Sequence, residues 1–264
     1  MQRSQVVASR VGRAVTLVPA VFMALWCVLV AQSAMAQSTI FNIPSTDTVS
    51  PKKVYFEFDW LPQAPGPEEG GSLTLYNPRI IVGLGHDVEV GLNFPIFHLG
   101  DPDSATNSYI QPNMKWKFFN NDDKGVAVAA GFVVNIAMNN REDQASWSYI
   151  YGNISKKWKD GPRVTFGPYG VLANADEASG PVSFIGTRGG VLLGYEQPLG
   201  KSPVSFVADW FSGKNTIGYF TPGVSIALPH SGLLNIGYSI GNDVGDETPD
   251  YKNRYFFAYY GVTF

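Results

Sequence analysis

From about residue 53 to the end, apolar and polar positions alternate with a period of two, in bursts broken by Gly, Pro, Asn and Asp. The pattern predicts about twelve strands, near 53–62, 72–84, 87–98, 108–119, 125–138, 147–158, 163–174, 183–197, 203–212, 217–228, 232–241 and 254–264. No helical period survives over a useful window. The connections alternate in length. Tight ones fall at Gly85–Asp87, Asn120–Lys124, Lys159–Pro162, Leu199–Ser202 and Pro229–Gly232, and longer polar ones at Ala64–Gly71, Leu99–Asn107, Asn139–Ser146, Ala175–Pro181 and Asn242–Asn253. Gly213–Thr216 falls in the long series but is short. Short turns at one end and long loops at the other are the layout of an all-β, antiparallel, up-and-down transmembrane barrel, with ten or fourteen strands as neighbouring counts.

The two faces differ sharply. The strand near 87–98 sets Val88, Val90, Leu92, Phe94 and Ile96 against Glu89, Gly91, Asn93 and Pro95, and the last strand sets Phe256, Ala258, Tyr260, Val262 and Phe264 against Tyr259, Gly261 and Thr263. A secreted sandwich also alternates, with its apolar face inward. The aromatics favour the inverted arrangement. With odd strands running outward, Trp60, Trp210, Phe220 and Phe256 gather at the outer end, and Trp116, Phe118, Trp158, Tyr195 and Phe264 at the inner end. Two aromatic rings flanking an aliphatic band are the girdles of a barrel in lipid.

The N-terminus points the same way. Arg3, Arg10 and Arg13 precede an apolar run from Ala14 to about Ala31, followed by Ala34-Met-Ala36. This predicts a secretory signal peptide over 1–36, with a retained anchor as the alternative. Residues 37–52 are then expected to form a periplasmic tail and 53–264 the barrel. The only cysteine, Cys27, lies inside the apolar run without the small residues that precede a lipid-attachment site, so the mature chain has no disulfide or thiol chemistry. Loss of the three arginines leaves 16 basic and 22 acidic residues, a balance that argues against nucleic acid as a partner. No later apolar run reaches the ~18 residues of a membrane helix.

If the apolar face meets lipid, the charges on the other face line a lumen. Around the wall these are Glu57, Asp59, Arg79, Glu89, Lys115, Lys117, Lys157, Arg188 and Asp209, with Glu196 near a turn. Lys or Arg facing mid-bilayer would cost ~2–4 kcal/mol each, so inward is their only inexpensive place. Their signs alternate between neighbouring strands, so cross-strand pairing is expected. The ladder either sets a transverse field at a constriction or stiffens a partly filled interior. A twelve-strand barrel has a backbone diameter of roughly 24 Å and a bore of ~10 Å or less. Gly91, Gly131, Gly237 and Ser239 on the lumen face suggest open space.

The longer connections are acidic: Glu68, Glu69, Asp101, Asp103, Glu142, Asp143, Asp176, Glu177, Asp243, Asp246, Glu247 and Asp250 face only Arg141, Lys214 and Lys252. Such a mouth would concentrate cations. The run Asp243–Asp250 lacks the spacing of a calcium loop, and no cofactor motif or metal cluster stands out. His86 and His230 fall in tight turns. His98 faces lipid on parity, where a lipid-modifying serine–histidine enzyme would carry its base, but no serine follows two residues on, and only Ser104 and Ser108 are near. Asp47-Thr-Val-Ser50 resembles the box that couples large receptors to an energising protein, yet those receptors have about twice as many strands.

The stretch Asn77-Pro-Arg-Ile-Ile-Val-Gly-Leu-Gly-His-Asp-Val-Glu-Val-Gly-Leu-Asn-Phe-Pro95, with Lys115 in Pro112-Asn-Met-Lys-Trp-Lys117, resembles a recurring hairpin of small bacterial outer-membrane barrels, among them the family named for the meta-pathway of phenol degradation. The resemblance implies an uptake channel for small solutes. Phe264 matches the signal read by the barrel-assembly machinery, with its glycine displaced to Gly261. The expectation is a porin-like channel in the outer membrane, with lipid, small solutes and the assembly machinery as partners and no cofactor. The alternatives are a sealed structural or adhesive barrel and a lipid-modifying enzyme centred on His98.

Overall fold

The computed structural model describes residues 38–63, 73–99, 106–139, 146–173, 184–242 and 254–264. The signal peptide expected over 1–36 lies outside them. Thirteen ladder segments follow in order: β1 (Val54–Pro62), β2 (Leu73–Gly85), β3 (Val88–Asn93), β4 (Ile96–Leu99), β5 (Asn107–Asn121), β6 (Val126–Ala137), β7 (Trp147–Lys157), β8 (Arg163–Ala173), β9 (Gly189–Pro198), β10 (Val204–Phe211), β11 (Tyr219–Leu228), β12 (Gly232–Gly241) and β13 (Arg254–Thr263). Every neighbouring pair is antiparallel, and β1 pairs with both β2 and β13. The sheet therefore closes, and no edge is left to be satisfied. At the seam Val54 and Phe264 exchange backbone hydrogen bonds of 3.4 and 2.9 Å.

Segments β3 and β4 are two halves of one wall strand, which makes twelve strands in all. Both pair with β2 and with β5 in an unbroken register, from Arg79↔Asn93 to Tyr76↔Ile96. The ladder lapses between them because Pro78 and Pro95 have no N–H to give. A bulge on β5 between Lys117 and Phe119 leaves Phe118 and Phe119 both exposed on the outside. Two of the tight turns reverse in two left-handed residues, His86-Asp87 (φ 51° and 57°) and His230-Ser231 (φ 59° and 58°). Their twist suits two-residue hairpins.

The faces are inverted relative to a soluble sandwich. Phe56, Phe58, Trp60, Ile80, Phe132, Ile150, Phe166, Phe206, Ile236, Phe256 and Tyr260 are exposed on the outer wall, whereas Glu57, Asp59, Glu89, Lys115 and Asp209 are buried within. The girdle residues Trp60, Phe220 and Phe256, and at the opposite end Trp116, Phe118, Trp158, Tyr195 and Phe264, are exposed as well. Trp210 is half-buried and donates to Asn242 Oδ1 at 3.1 Å.

Two sequence expectations fail. The strand expected from 183 starts only at Gly189. Residues 184–188 instead bridge to 214–216, through Gly186↔Asn215 and the bond from Thr187 N to Lys214 O at 2.9 Å. Phe184 turns inward onto Trp147, with ring centroids 5.2 Å apart. The larger correction concerns the segment 37–52, expected to hang in the periplasm. Its residues Ser38–Val49 enter the barrel. Ile40, Phe41, Ile43, Ser45, Thr46 and Val49 are buried against the inner wall. Segment 38–45 folds on itself as a small hairpin, with Ser45 N donating to Ser38 O at 3.1 Å and Ile40 N to Ile43 O at 2.8 Å. The reason is in its composition. Three large apolar side chains at its tip would be costly in water, and each is worth about 1.5–3 kcal/mol when buried.

Candidate functional site

The interior has an inner half filled by the hairpin and a cavity outward of it. The hairpin is held by wall side chains that bond its backbone. Asp209 on β10 accepts, on Oδ2 alone, the N–H groups of Phe41, Asn42 and Ile43 at 2.9, 2.6 and 3.0 Å. Three converging N–H groups around one carboxylate oxygen form an anion nest of the kind made at helix N-termini. Glu89 on β3 accepts from Val49 N at 2.7 Å and from Ser38 Oγ, and Lys115 on β5 donates to Ser38 O at 2.6 Å. Asn153 on β7 donates to Pro44 O at 2.6 Å, and Thr46 and Ser155 share a hydroxyl bond of 2.5 Å. Gly194 on β9 makes room: a Cβ there would come within 2.3 Å of Ile40 Cδ1.

At the inner rim Arg163 on β8 ties the hairpin to the wall, bonding Asp47 and gripping Glu196 with two nitrogens, one of them Nη2 at 2.7 Å from Oε1. Burial pushes the Asp47 carboxyl up, but the charge and hydrogen bond of Arg163, aided by Lys115 and Lys117, more than offset it and hold it below its ordinary 3.8. A lowered carboxylate stabilises the docked state above its ordinary value and loses that contribution as the pH falls through the lowered one. The contribution of Asp47 to docking should therefore be constant above about pH 5 and be lost only below about pH 4. Channel openings recorded from pH 7 down to pH 3 check this, and Arg163→Gln should abolish the acid step.

The charges expected to line a lumen sort into three groups. Glu57, Asp59, Arg79, Glu89, Lys115 and Asp209 lie inside and are buried. Arg79 Nη1 stands 2.5 Å from Glu57 Oε1 and 3.8 Å from Asp59 Oδ2, and Lys115 Nζ is 3.0 Å from Glu89 Oε1. Lys117 sits at the inner turn, 3.0 Å from an Asp87 carboxylate that is half exposed. Arg188 does not join them. It precedes β9 and is exposed, because the strand begins one residue after it. The lumen glycines expected to leave open space are filled from neighbouring strands. A Cβ on Gly131 would lie 2.4 Å from Tyr151 Oη, and one on Gly237 2.7 Å from the Phe257 ring. His98 is exposed on β4 opposite Thr74. Ser108 bonds Asn139 through both its N–H and its hydroxyl.

Outward of the hairpin lies a cavity of about 320 Å³. Its floor is Ser38, Thr39, Phe41, Asn42 and Pro44, and its outer part carries Leu61, Leu75, Phe97, Trp147, Phe211, Ile217 and Tyr255. The inward aromatics form two sets of ring contacts: Trp147–Tyr149, Tyr149–Phe211 and Tyr169–Phe211 have centroids 6.2, 6.0 and 5.2 Å apart, and Phe41–Phe257 and Phe257–Tyr259 are 4.8 and 4.6 Å apart. Sequence reading missed these, although Trp147-x-Tyr149-x-Tyr151 and Tyr255-x-Phe257-x-Tyr259 show them as aromatics on the face opposite the lipid side. Below them runs a relay of amides. Arg79 Nε donates to Asn93 Oδ1 at 3.4 Å, Asn93 Nδ2 to Gln111 Oε1 at 3.2 Å, and Gln111 Nε2 to Asn135 Oδ1.

A closed twelve-strand wall with an apolar outside and a charged, partly hollow inside defines the class: an antiparallel β-barrel of the outer-membrane channel fold. Among solved structures, the COG4313 outer membrane channel of Pseudomonas putida F1 matches with a TM-score of 0.51 and 12% identity over 83% of this chain and 98% of that one. At that identity the likeness establishes a shared fold. A doubly substituted mutant of the Rh. blastica porin covers 80% of this chain and 98% of its own at 12% identity with a TM-score of 0.31. No protein-family model matches the chain, and no curated protein does.

Proposed function

We propose that this chain is an outer-membrane channel for small solutes, exported by its signal peptide, inserted through the Phe264 signal and closed at rest by its own N-terminal hairpin. The observation that carries this is a hollow above the docked hairpin: a cavity of about 320 Å³ whose floor is formed by the N-terminal segment. A barrel meant only to be solid would fill that space with wall side chains, as Gly131 and Gly237 are filled lower down. The resemblance to the phenol meta-pathway family supports uptake as the direction of use. The charge filter expected from sequence operates when the hairpin leaves. While it is docked, Lys115 is occupied by Glu89 and Ser38.

The test is a planar bilayer holding the purified mature protein. Discrete ohmic steps are expected, rare at neutral pH. In a salt gradient, Lys115→Gln with Lys117→Gln should move the reversal potential toward cation selectivity. A barrel shown folded by its heat-sensitive gel mobility, yet silent both intact and without its hairpin, would instead be the sealed structural barrel.

A further inference from the structure

We infer that the space the hairpin occupies is a binding site for short peptides, which the hairpin holds as a built-in competitor. The inference rests on the channel reading above and names its solute class. It begins with what the wall bonds. Asp209 takes the N–H groups of Phe41, Asn42 and Ile43, and Glu89 takes that of Val49. Asn153 donates to Pro44 O and Lys115 to Ser38 O. These are main-chain groups, four donors and two acceptors. The one polar side chain of the tip, Asn42, donates to Thr221 Oγ1 at 2.8 Å and accepts from Tyr259 Oη at 3.2 Å.

The apolar side chains of the tip enter sockets that wall glycines open. A Cβ on Gly194 of β9 would lie 2.3 Å from Ile40 Cδ1 and 3.0 Å from Ile43 Cδ1, and one on Gly223 of β11 would lie 3.1 Å from Phe41 Cε2. Ile40, Phe41 and Ile43 share one buried cluster with Leu192, Val207, Phe257 and Tyr259 of the wall. The site therefore has a polar part that meets main chain and an apolar part that meets side chains.

The polar part decides the chemical class. Consecutive N–H groups converging on one carboxylate oxygen belong to an amide chain bent into a turn. A sugar offers hydroxyls without that row, and a hydrocarbon offers no donor at all. Main-chain N–H and C=O groups are common to every peptide, so selection among peptides falls to the sockets, which suit two aliphatic side chains and an aromatic one. The tethered hairpin competes at an effective concentration of about millimolar. A free peptide therefore meets an occupied site in the resting protein and gains it when the hairpin leaves.

The probe is the acetylated, amidated hexapeptide Thr-Ile-Phe-Asn-Ile-Pro, the sequence of 39–44. Its retro-sequence has the same composition, and a form N-methylated at Asn lacks the central N–H. The protein is the full mature chain with Phe41→Asp and Ile43→Asp, which undock the hairpin because unpaired carboxylates are costly to bury. Titration calorimetry in detergent should show the hexapeptide binding about tenfold or more tighter than either control, the margin of a hydrogen bond to a charged acceptor. Asp209→Ala added to that chain should erase the margin over the N-methyl form. Wild type should bind the hexapeptide about tenfold or more weaker than the substituted chain and keep the preference over the retro-sequence, a check that holds where the substituted chain fails to fold. Equal binding of the hexapeptide and its retro-sequence, an N-methyl margin that survives Asp209→Ala, or wild type binding as tightly as the substituted chain overturns the inference. So does no binding at millimolar peptide to protein shown folded by gel mobility. Calorimetry in detergent needs no conducting path, so a silent bilayer bears on the channel reading alone.

Discussion

Deleting residues 38–49 should turn a nearly silent barrel into one that conducts steadily, with the step size rising by roughly tenfold as the hairpin's place becomes water in a bore of ~10 Å. The argument is volumetric first. The hairpin lines the floor of the cavity, and its tip side chains Phe41 and Ile43 are 1% and 0% exposed, so they fill space within the wall that the deletion opens to water. The wall tolerates the loss because what the hairpin leaves behind is polar. Asp209, Asn153, Ser155 and the Glu89–Lys115 pair meet incoming water in place of backbone groups. The barrel should remain closed, since no ladder hydrogen bond of β1 to β13 involves the segment. Its stability should still drop, because the burial of Ile40, Phe41 and Ile43 is forfeited. Single-channel recording, with gel mobility before and after heating as the check on folding, decides the matter. An unchanged step size in a folded deletion protein would place the constriction in the wall.

The barrel was legible because a period of two survives any local noise, and because the alternation of turn and loop lengths needs no side-chain detail. Charge placement was legible for the same reason: on parity, Glu57, Asp59, Arg79, Glu89, Lys115 and Asp209 had only one inexpensive side. Parity fails at ends and breaks. Arg188 lies one residue before its strand, and the lapse at Phe94-Pro95 has no signal beyond two prolines on different strands. The hairpin was illegible for a deeper reason. Thr39-Ile-Phe-Asn-Ile-Pro44 is apolar at its tip, which is a sign of burial, but local sequence cannot name the surface that buries it. That surface is assembled from many strands, β3, β5, β7, β8 and β10 among them, each of which gives it polar contacts from only one or two side chains. The glycines misled in the same way, since a small residue on a lumen face reads equally as open space and as a socket.

Asp209→Ala should release the hairpin more fully than any other single substitution in the wall. The carboxylate accepts three backbone N–H groups of the hairpin on one oxygen. Hydrogen bonds to a charged acceptor are worth ~1.5–3 kcal/mol each, and three converging on one atom do not add fully. With alanine there, the N–H groups of Phe41, Asn42 and Ile43 are buried without an acceptor as long as the hairpin stays docked, and they recover water when it leaves. The asymmetry drives undocking. A shift of ~3–4 kcal/mol corresponds to several-hundredfold in the ratio of closed to open time. Asp209→Asn is isosteric and keeps an acceptor oxygen without the charge, so it should fall between the two. The open events of Asp209→Ala should match the step size of the protein lacking 38–49, since both expose the same bore. Wild-type closed times in a folded Asp209→Ala protein would show that the hairpin is held by its apolar tip alone, with the nest contributing nothing to closure.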